Sequence, residues 1–171
     1  MNSLKILAMR AASDTSPISA LAYIGHLSLL KSQFSEIWIP TAVSNELKLH
    51  PDPAATTSIQ TALREGWIRE AAASGSHLLA ILSLHLHRGE AEVIALAADI
   101  KADIVLIDEQ EGRQFAAQAG FAVTGVLGIL LRAKLDGDIP FLKPNIQLLR
   151  SKAHFFINPS LEAKILSAAG E

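Results

Sequence analysis

The apolar run at residues 103–107 (DIVLI) places the strongest constraint on the fold of this chain. Its apolar residues do not alternate with polar ones, which is typical of a strand that a parallel sheet buries on both faces. The segments on either side, residues 89–101 and 109–119, predict helices from their apolar spacing. Strands that alternate with helices form parallel sheets with crossover helices. The sequence therefore predicts an α/β protein with a central, mainly parallel sheet.

The same alternation extends along the rest of the chain. Further strands are predicted at residues 9–13, 36–39, 67–68 and 121–124. Further helices are predicted from residue 18 to residue 30 with a break at Gly25, and at residues 41–49, 54–65, 76–86, 126–136, 145–152 and 160–168. The first strand is unusual, because its sequence MRAAS is a poor β-former.

The length of 171 residues suits one domain, and half of the residues are hydrophobic, which favours a compact core. We expect residues 1–171 to form that domain, with a C-terminal tail and helix at residues 153–171. If translation starts at Met9, residues 1–8 are an N-terminal extension. The apolar stretches stay below the ~18 residues that span a bilayer, and the N-terminus lacks the pattern of a signal peptide. We therefore expect a soluble, cytoplasmic protein.

The absence of cysteine and the net charge of −2 narrow the chemistry that the chain can perform. Thiolate metal sites, disulfides and a cysteine nucleophile are excluded. A nucleic acid would have to be bound by a local basic patch or through metal ions, because the overall charge does not attract it.

Two aspartates occupy positions where predicted strands end. Asp14 precedes the helix start at Ser16-Pro17, and Asp108 directly follows residues 103–107. Parallel sheets bind their ligands beyond the carboxyl ends of the strands, and two carboxylates there repel each other unless a cation lies between them. These carboxylates supply only oxygen ligands, so the cation expected at such a site is Mg²⁺ or Mn²⁺.

Each candidate acid also has an ordinary structural explanation. Asp108 matches the first residue of a helix capping box, and Asp14 fits a turn ahead of a helix. Glu46 fits a solvated helix face. Glu90 and Glu92 share a helix start, where the helix dipole stabilises acids. The individual residues therefore leave both explanations open.

Two other candidate functional sites, a histidine metal site and a serine nucleophile, have less support from the sequence. His85, His87 and Glu90 carry metal-ligating groups, but residues two apart do not share a helix face, and no third histidine has zinc-site spacing. Ser16 has the position of a helix N-cap before Pro17. It lacks the strained, glycine-flanked turn that carries many serine nucleophiles.

Five segments, taken in order, resemble the PIN-domain family of metal-dependent ribonucleases. They are SDTSPI at residues 13–18, IPTAVSNEL at 39–47, GEAEVIALA at 89–97, VLIDE at 105–109 with Gly112-Arg113, and GVLGILLRAK at 125–134. The chain is similar in particular to PIN-like proteins of bacteria and archaea, often of uncharacterised function. Many PIN proteins of bacteria and archaea are toxins of VapC-type toxin–antitoxin pairs.

The resemblance implies a three-layer α/β/α fold and an endoribonuclease that depends on Mg²⁺ or Mn²⁺. It assigns the metal-binding and catalytic acids to Asp14, Glu46, Glu90 and Asp108. It gives supporting roles to Thr15, Ser16 and Glu109, and a phosphate contact to Arg113. The implied partners are an RNA substrate and a small antitoxin protein. The apolar helix faces at residues 27–30 and 127–131 would serve that partner, a second copy in a homodimer, or packing in the core.

Two alternatives belong to other classes of protein. A non-catalytic PIN-like scaffold would bind protein or RNA without cleaving it. A receiver-like phosphoacceptor also carries acids at strand ends. It would need an acidic pair after the first strand, where this chain has Asp14-Thr15, and a lysine after the last strand, where none follows closely.

Overall fold

The computed structural model describes residues 9–171. A five-stranded sheet forms its centre, composed of β1 (Arg10–Ser13), β2 (Glu36–Ile39), β3 (Ile68–Glu70), β4 (Ile104–Leu106) and β5 (Ala122–Thr124). The strand order is β3-β2-β1-β4-β5, and all neighbouring strands are parallel. The predicted α/β fold is confirmed. The N-terminal extension predicted at residues 1–8 lies outside the described residues.

Helices connect the strands and flank the sheet, which gives the three-layer α/β/α arrangement. They are α1 (Thr15–Tyr23), α2 (Ser28–Gln33), α3 (Thr41–Lys48), α4 (Pro53–Glu65), α5 (His77–Leu82), α6 (Arg88–Asp99), α7 (Gln110–Gln118), α8 (Val126–Asp136), α9 (Lys143–Lys152) and α10 (Pro159–Ala169). Helix α6 packs on β1 and β4, while α1 packs on α3, α4 and α8. Within residues 9–171, none of the helices combines the length and the apolar character needed to cross a bilayer.

Strand β1 is the central strand in spite of its poor β-propensity. Ala11 pairs with Ile37 of β2 on one side and with Ile104 of β4 on the other. Ala11, Ala12 and Ser13 are completely buried. Their small side chains suit a strand that is covered on both faces, because helices can approach it closely. Tertiary packing therefore outweighs local propensity here.

The first helix begins earlier than predicted. Helix α1 starts at Thr15 with Asp14 at the N-cap position, so Ser16 and Pro17 lie inside its first turn. The predicted N-cap role of Ser16 is therefore wrong. The reason is a tertiary contact, since the Ser16 hydroxyl donates to Asp108 Oδ2 at 2.8 Å.

The helix predicted at residues 76–86 is also shorter than expected. Ser76 caps α5 by accepting a hydrogen bond from the Leu79 N–H at 3.2 Å. The helix ends at Leu82, and turns follow it. Leu86, within that turn segment, is buried in the core. The chain therefore leaves the helix and buries Leu86 before α6 begins.

Candidate metal centre

The direction of the chain reverses across the sheet between β1 and β4. From β1 the chain moves outward through β2 to β3, and it then returns to the other side of β1 with β4. Such a switch point leaves a crevice at the carboxyl ends of the two strands, where α/β proteins bind ligands. Asp14 follows β1, and Asp108 lies two residues beyond β4. The Asp14 N–H donates to the Leu106 carbonyl at 2.9 Å and extends the pairing of these strands to the edge of the crevice.

Asp14 is a buried carboxyl in a negatively charged environment. It is only 9% exposed. Burial raises its pKa from 3.8 to about 6; the Thr15 backbone N–H opposes this shift, and the charges of Glu90, Glu46 and Asp108 add to it. The other three predicted acids are therefore close enough to Asp14 to raise its pKa.

Asp108 is held by two donors that are distant in sequence. Its Oδ1 accepts from the Val126 N–H at 2.8 Å, and its Oδ2 accepts from the Ser16 hydroxyl. Burial raises the pKa of Asp108, and these donors offset part of the shift. The N-cap position of α7 belongs to Glu109. The capping-box explanation of Asp108 is therefore wrong, because its carboxylate contacts α1 and α8 instead.

Glu90 and Glu46 approach the crevice from α6 and α3. Glu90 is 7% exposed, and its Oε2 accepts from the His87 N–H at 3.2 Å, so its role at the helix start is confirmed. Burial raises the pKa of Glu90, and the His87 N–H acts against this shift. Glu46 is exposed on α3, and its Oε2 accepts a hydrogen bond from the Thr15 hydroxyl.

Glu92, the neighbouring acid of α6, faces a different environment. Its Oε1 pairs with Arg88 at 2.6 Å, and its Oε2 accepts from the Ala42 N–H at 3.3 Å. The contact with Ala42 joins α6 to the start of α3. The structure thus separates Glu92 from Glu90, which lies among the acids around Asp14.

Two glycines, Gly125 and Gly112, leave space that carboxylates occupy, and a third, Gly89, lies within ordinary contact distance of two more. A Cβ atom at Gly125 would lie 2.3 Å from Asp108 Oδ1, and a Cβ at Gly112 would lie 2.7 Å from Glu90 Oε1. A Cβ at Gly89 would lie 3.4 Å from Asp14 Oδ1 and 3.7 Å from Glu46 Oε1. Sequence reasoning missed these roles. The signal was present, because each glycine lies in one of the segments that carry the family resemblance.

Arg113 borders the crevice on the side of Asp108. Its Nη1 donates to the Ile107 carbonyl at 3.0 Å, which fixes the guanidinium at the end of β4. Arg113 is partly buried, so it is not an ordinary exposed arginine on a helix surface. The predicted contact of Arg113 with a phosphate stays a prediction. Glu109, predicted as a supporting acid, lines the same cleft as Asp108 and Arg113.

The chemistry of these side chains fits a hard divalent cation. The donors are carboxylate oxygens, which Mg²⁺ and Mn²⁺ prefer. Buried carboxyl groups with raised pKa values lack sufficient positive charge nearby, and a cation would supply it. Among residues 9–171, no three His, Asp or Glu side chains are grouped closely enough to hold one ion. A bound metal would therefore have to draw these acids together.

The alternative histidine site receives no support from the structure. His85 lies in the turn after α5, and its ring stacks on Phe115 with the ring centroids 5.4 Å apart. His87 is the N-cap residue of α6. These residues therefore have packing and helix-end roles that account for their positions.

A parallel sheet in the order 3-2-1-4-5, flanked by helices and with carboxylates at its switch point, defines an α/β/α protein with a candidate ligand site at that point. The family model DUF3368, described as a PIN domain, matches residues 10–171, and the chain belongs to this family. A PilT N-terminus domain protein from the hyperthermophilic archaeon Sulfolobus solfataricus P2 has a similar structure. The TM-score is 0.53 at 19% identity, covering 73% of this chain and 93% of that one, and this likeness bears on the fold alone. Comparison with curated proteins gave no match.

Proposed function

We propose that this protein is a divalent-metal-dependent endoribonuclease of PIN type. One observation carries the proposal: Asp14 is buried at the switch point of the sheet, and its pKa is raised to about 6 by burial, with added contributions from Glu90, Glu46 and Asp108. Burying several carboxylates near one another costs free energy, and a bound cation would compensate their charge. Membership of the PIN-domain family supports a nucleic acid as substrate.

In this proposal Asp14, Glu46, Glu90 and Asp108 hold Mg²⁺ or Mn²⁺. When bound, such an ion lowers the pKa of water and stabilises charge on a phosphodiester. Asp108 is the most firmly oriented acid, because Ser16 and Val126 each donate to one of its oxygens. Glu46 is exposed and bonds Thr15 through Oε2, so its Oε1 is available to orient an attacking water.

Arg113 and Glu109 take supporting roles at the edge of the centre. The Arg113 guanidinium, fixed by the Ile107 carbonyl, would bind a phosphate group of the RNA. Glu109 adds negative charge beside Asp108 and raises its pKa, after the larger effect of burial. Both residues would therefore influence the electrostatic potential at the place where a phosphodiester approaches the acids.

The wider assignments belong to the same proposal: the toxin role rests on the family resemblance, and the others rest on the length and the apolar pattern of the sequence. They are a single domain over residues 1–171, a cytoplasmic location, a homodimer and the role of a toxin that a small antitoxin protein inhibits. The toxin assignment has a direct test. If a small open reading frame adjoins the gene, its product should co-purify with this protein and block cleavage of RNA.

The nuclease proposal is tested by incubating single-stranded and structured RNA with the protein and Mg²⁺ or Mn²⁺. We expect Asp14→Asn and Asp108→Asn to lower the cleavage rate by roughly a hundredfold or more, since both remove charge from the metal site. Asp136→Asn is the matched control, because Asp136 bonds Arg132 on the surface of α8. Equal cleavage by all four proteins would refute the assignment of the acids.

The alternative of a non-catalytic scaffold predicts a different set of results. Such a scaffold would leave RNA intact, and Mn²⁺ would not shift the melting temperature of the wild-type protein. A metal-dependent nuclease should show both cleavage and a stabilising shift, because a ligand that binds only the folded state raises its stability.

A further inference from the structure

A cleft of about 760 Å³ extends from the carboxylate centre toward the C-terminal segment. One wall is polar and contains Ser16, Asp108 and Arg113. A second part of the lining, here called the apolar wall, includes Phe155, Phe156, Leu161 and Ile165. This volume lies in the range of pockets that bind small organic molecules. The cleft therefore joins a charged site to an apolar surface large enough for a nucleotide.

Phe156 is the unusual residue of the apolar wall, because its side chain is 86% exposed. Its neighbour Phe155 packs against the core, and the Phe155 N–H donates to the Leu149 carbonyl at 3.1 Å. His154, which lies between the end of α9 and the two phenylalanines, has a left-handed backbone with φ of 49°. The backbone beneath Phe156 is therefore anchored, while its ring is left in solvent beside the polar centre.

We propose that this cleft binds an unpaired nucleobase of the RNA substrate, with Phe156 as the surface on which the base stacks. The inference rests on the proposed nuclease function, because it assigns the phosphate beside that base to the carboxylate centre. Aromatic rings stack on bases of single-stranded RNA regardless of sequence. Arg113 lies on the polar wall, where it can pair with a phosphate of the same nucleotide.

The charges of the cleft favour a nucleotide over an apolar peptide. Its polar wall carries the carboxylates of Asp108 and Glu109 together with the guanidinium of Arg113. An apolar peptide would bury these groups without pairing them, which is costly. A nucleotide matches both walls, since its base is apolar on its faces and its phosphate pairs with Arg113 and with the cation of the proposed centre. Base-paired RNA does not match, because its bases are already stacked.

The test compares binding of a fluorescein-labelled single-stranded oligouridylate and of a duplex RNA by fluorescence anisotropy, with Ca²⁺ in place of Mn²⁺ so that a divalent cation is present while cleavage is slow. We expect Phe156→Ala to weaken binding of the single strand on the order of tenfold, as loss of one stacked base does. Phe156→Trp should retain the affinity, and Phe156→Leu should behave like Phe156→Ala. Phe141→Ala is the control, since Phe141 is an exposed phenylalanine beside Lys134, outside this cleft.

A parallel measurement of cleavage with Mn²⁺ separates this inference from the nuclease proposal. We expect Phe156→Ala to raise KM for the single strand with little change in kcat. If the wild type and Phe156→Ala bind and cleave RNA equally, the base subsite is refuted while the nuclease stands. If binding depends on Phe156 but the wild type does not cleave, the subsite stands and the nuclease proposal fails.

Two further outcomes would overturn the subsite. One is a wild-type protein that binds neither the single strand nor the duplex. The other is a Phe156→Ala variant that changes from dimer to monomer in size-exclusion chromatography while it binds RNA like the wild type. That result would assign the Phe156 surface to an interface between two copies of the chain.

Discussion

The hydroxyl of Ser16 donates to Asp108 Oδ2 at 2.8 Å across 92 positions of sequence. It connects the first turn of α1 with the chain just beyond β4. The same carboxylate accepts from the Val126 N–H at the start of α8. Three elements from different parts of the chain therefore fix the orientation of one acid at the switch point of the sheet.

Replacing Ser16 by alanine should weaken metal binding without unfolding the protein. The substitution removes a donor that stabilises the charged form of Asp108, so the pKa of that carboxyl should rise further. Loss of a group that orients a metal ligand costs about tenfold or more in affinity. We expect the Mn²⁺ concentration for half-maximal cleavage to rise by about that factor. Ser151→Ala, on the exposed face of α9, is the control. Unchanged Mn²⁺ dependence would show that the Ser16 hydroxyl has no part in the centre.

Asp14→Asn should stabilise the metal-free protein at neutral pH. The pKa of Asp14 is about 6 in the folded protein, against 3.8 for the ordinary value. The folded state therefore binds the proton more tightly, and the contribution of Asp14 to stability is lost as pH rises from 3.8 through 6. At pH above 7 the charged carboxyl disfavours folding by up to about 3 kcal/mol, and asparagine lacks that charge.

The measurement is chemical denaturation in EDTA at acidic and neutral pH. The stability of Asp14→Asn relative to the wild type should increase as the pH rises through 6. Added Mn²⁺ should stabilise the wild type more than the variant, because the variant has lost a metal ligand. A stability difference that does not depend on pH would contradict the raised pKa of Asp14.

The sheet and most helices could be predicted from the sequence because their signals are local. The apolar run at residues 103–107 and the helical spacing of residues 89–101 identify β4 and α6 without tertiary information. Strand β1 was harder to characterise, since Ala11 and Ala12 have weak β-propensity and are held by pairing on both sides. Its place at the centre of the sheet is a property of the assembled fold.

The candidate site was only partly predictable for the same reason. Asp14 and Asp108 follow strands, so strand-end positions were visible in the sequence. The Ser16 contact with Asp108 depends on where the folded chain places the first turn of α1 relative to the end of β4, and sequence signals favoured a helix cap instead. The space that Gly125 leaves for Asp108 likewise exists only after α8 and β4 are in place.

Gly125→Ala should disturb the centre although alanine is a small residue. The new Cβ would lie 2.3 Å from Asp108 Oδ1 and 3.2 Å from the Ile107 carbonyl oxygen, so the carboxylate must move. We expect a loss of about 1–3 kcal/mol in the free energy of unfolding, typical of overpacking, and a weaker Mn²⁺-induced rise in melting temperature. Gly75→Ala is the matched control, because a Cβ there would meet no atom of the described residues within 4 Å. If Gly125→Ala keeps the full Mn²⁺ response, Asp108 does not need its observed orientation.

Glu90→Gln and Glu92→Gln provide the sharpest comparison, because both acids lie in the first turns of α6. Glutamine at position 90 can still accept from the His87 N–H, so helix α6 should persist while the charge near Asp14 is lost. We expect a fall in cleavage rate of roughly tenfold or more for Glu90→Gln. Glu92→Gln removes an ion pair with the exposed Arg88, and a pair so accessible to solvent contributes little to stability. It should cleave RNA like the wild type. The reverse order of activities would place Glu92 in the metal centre and exclude Glu90 from it.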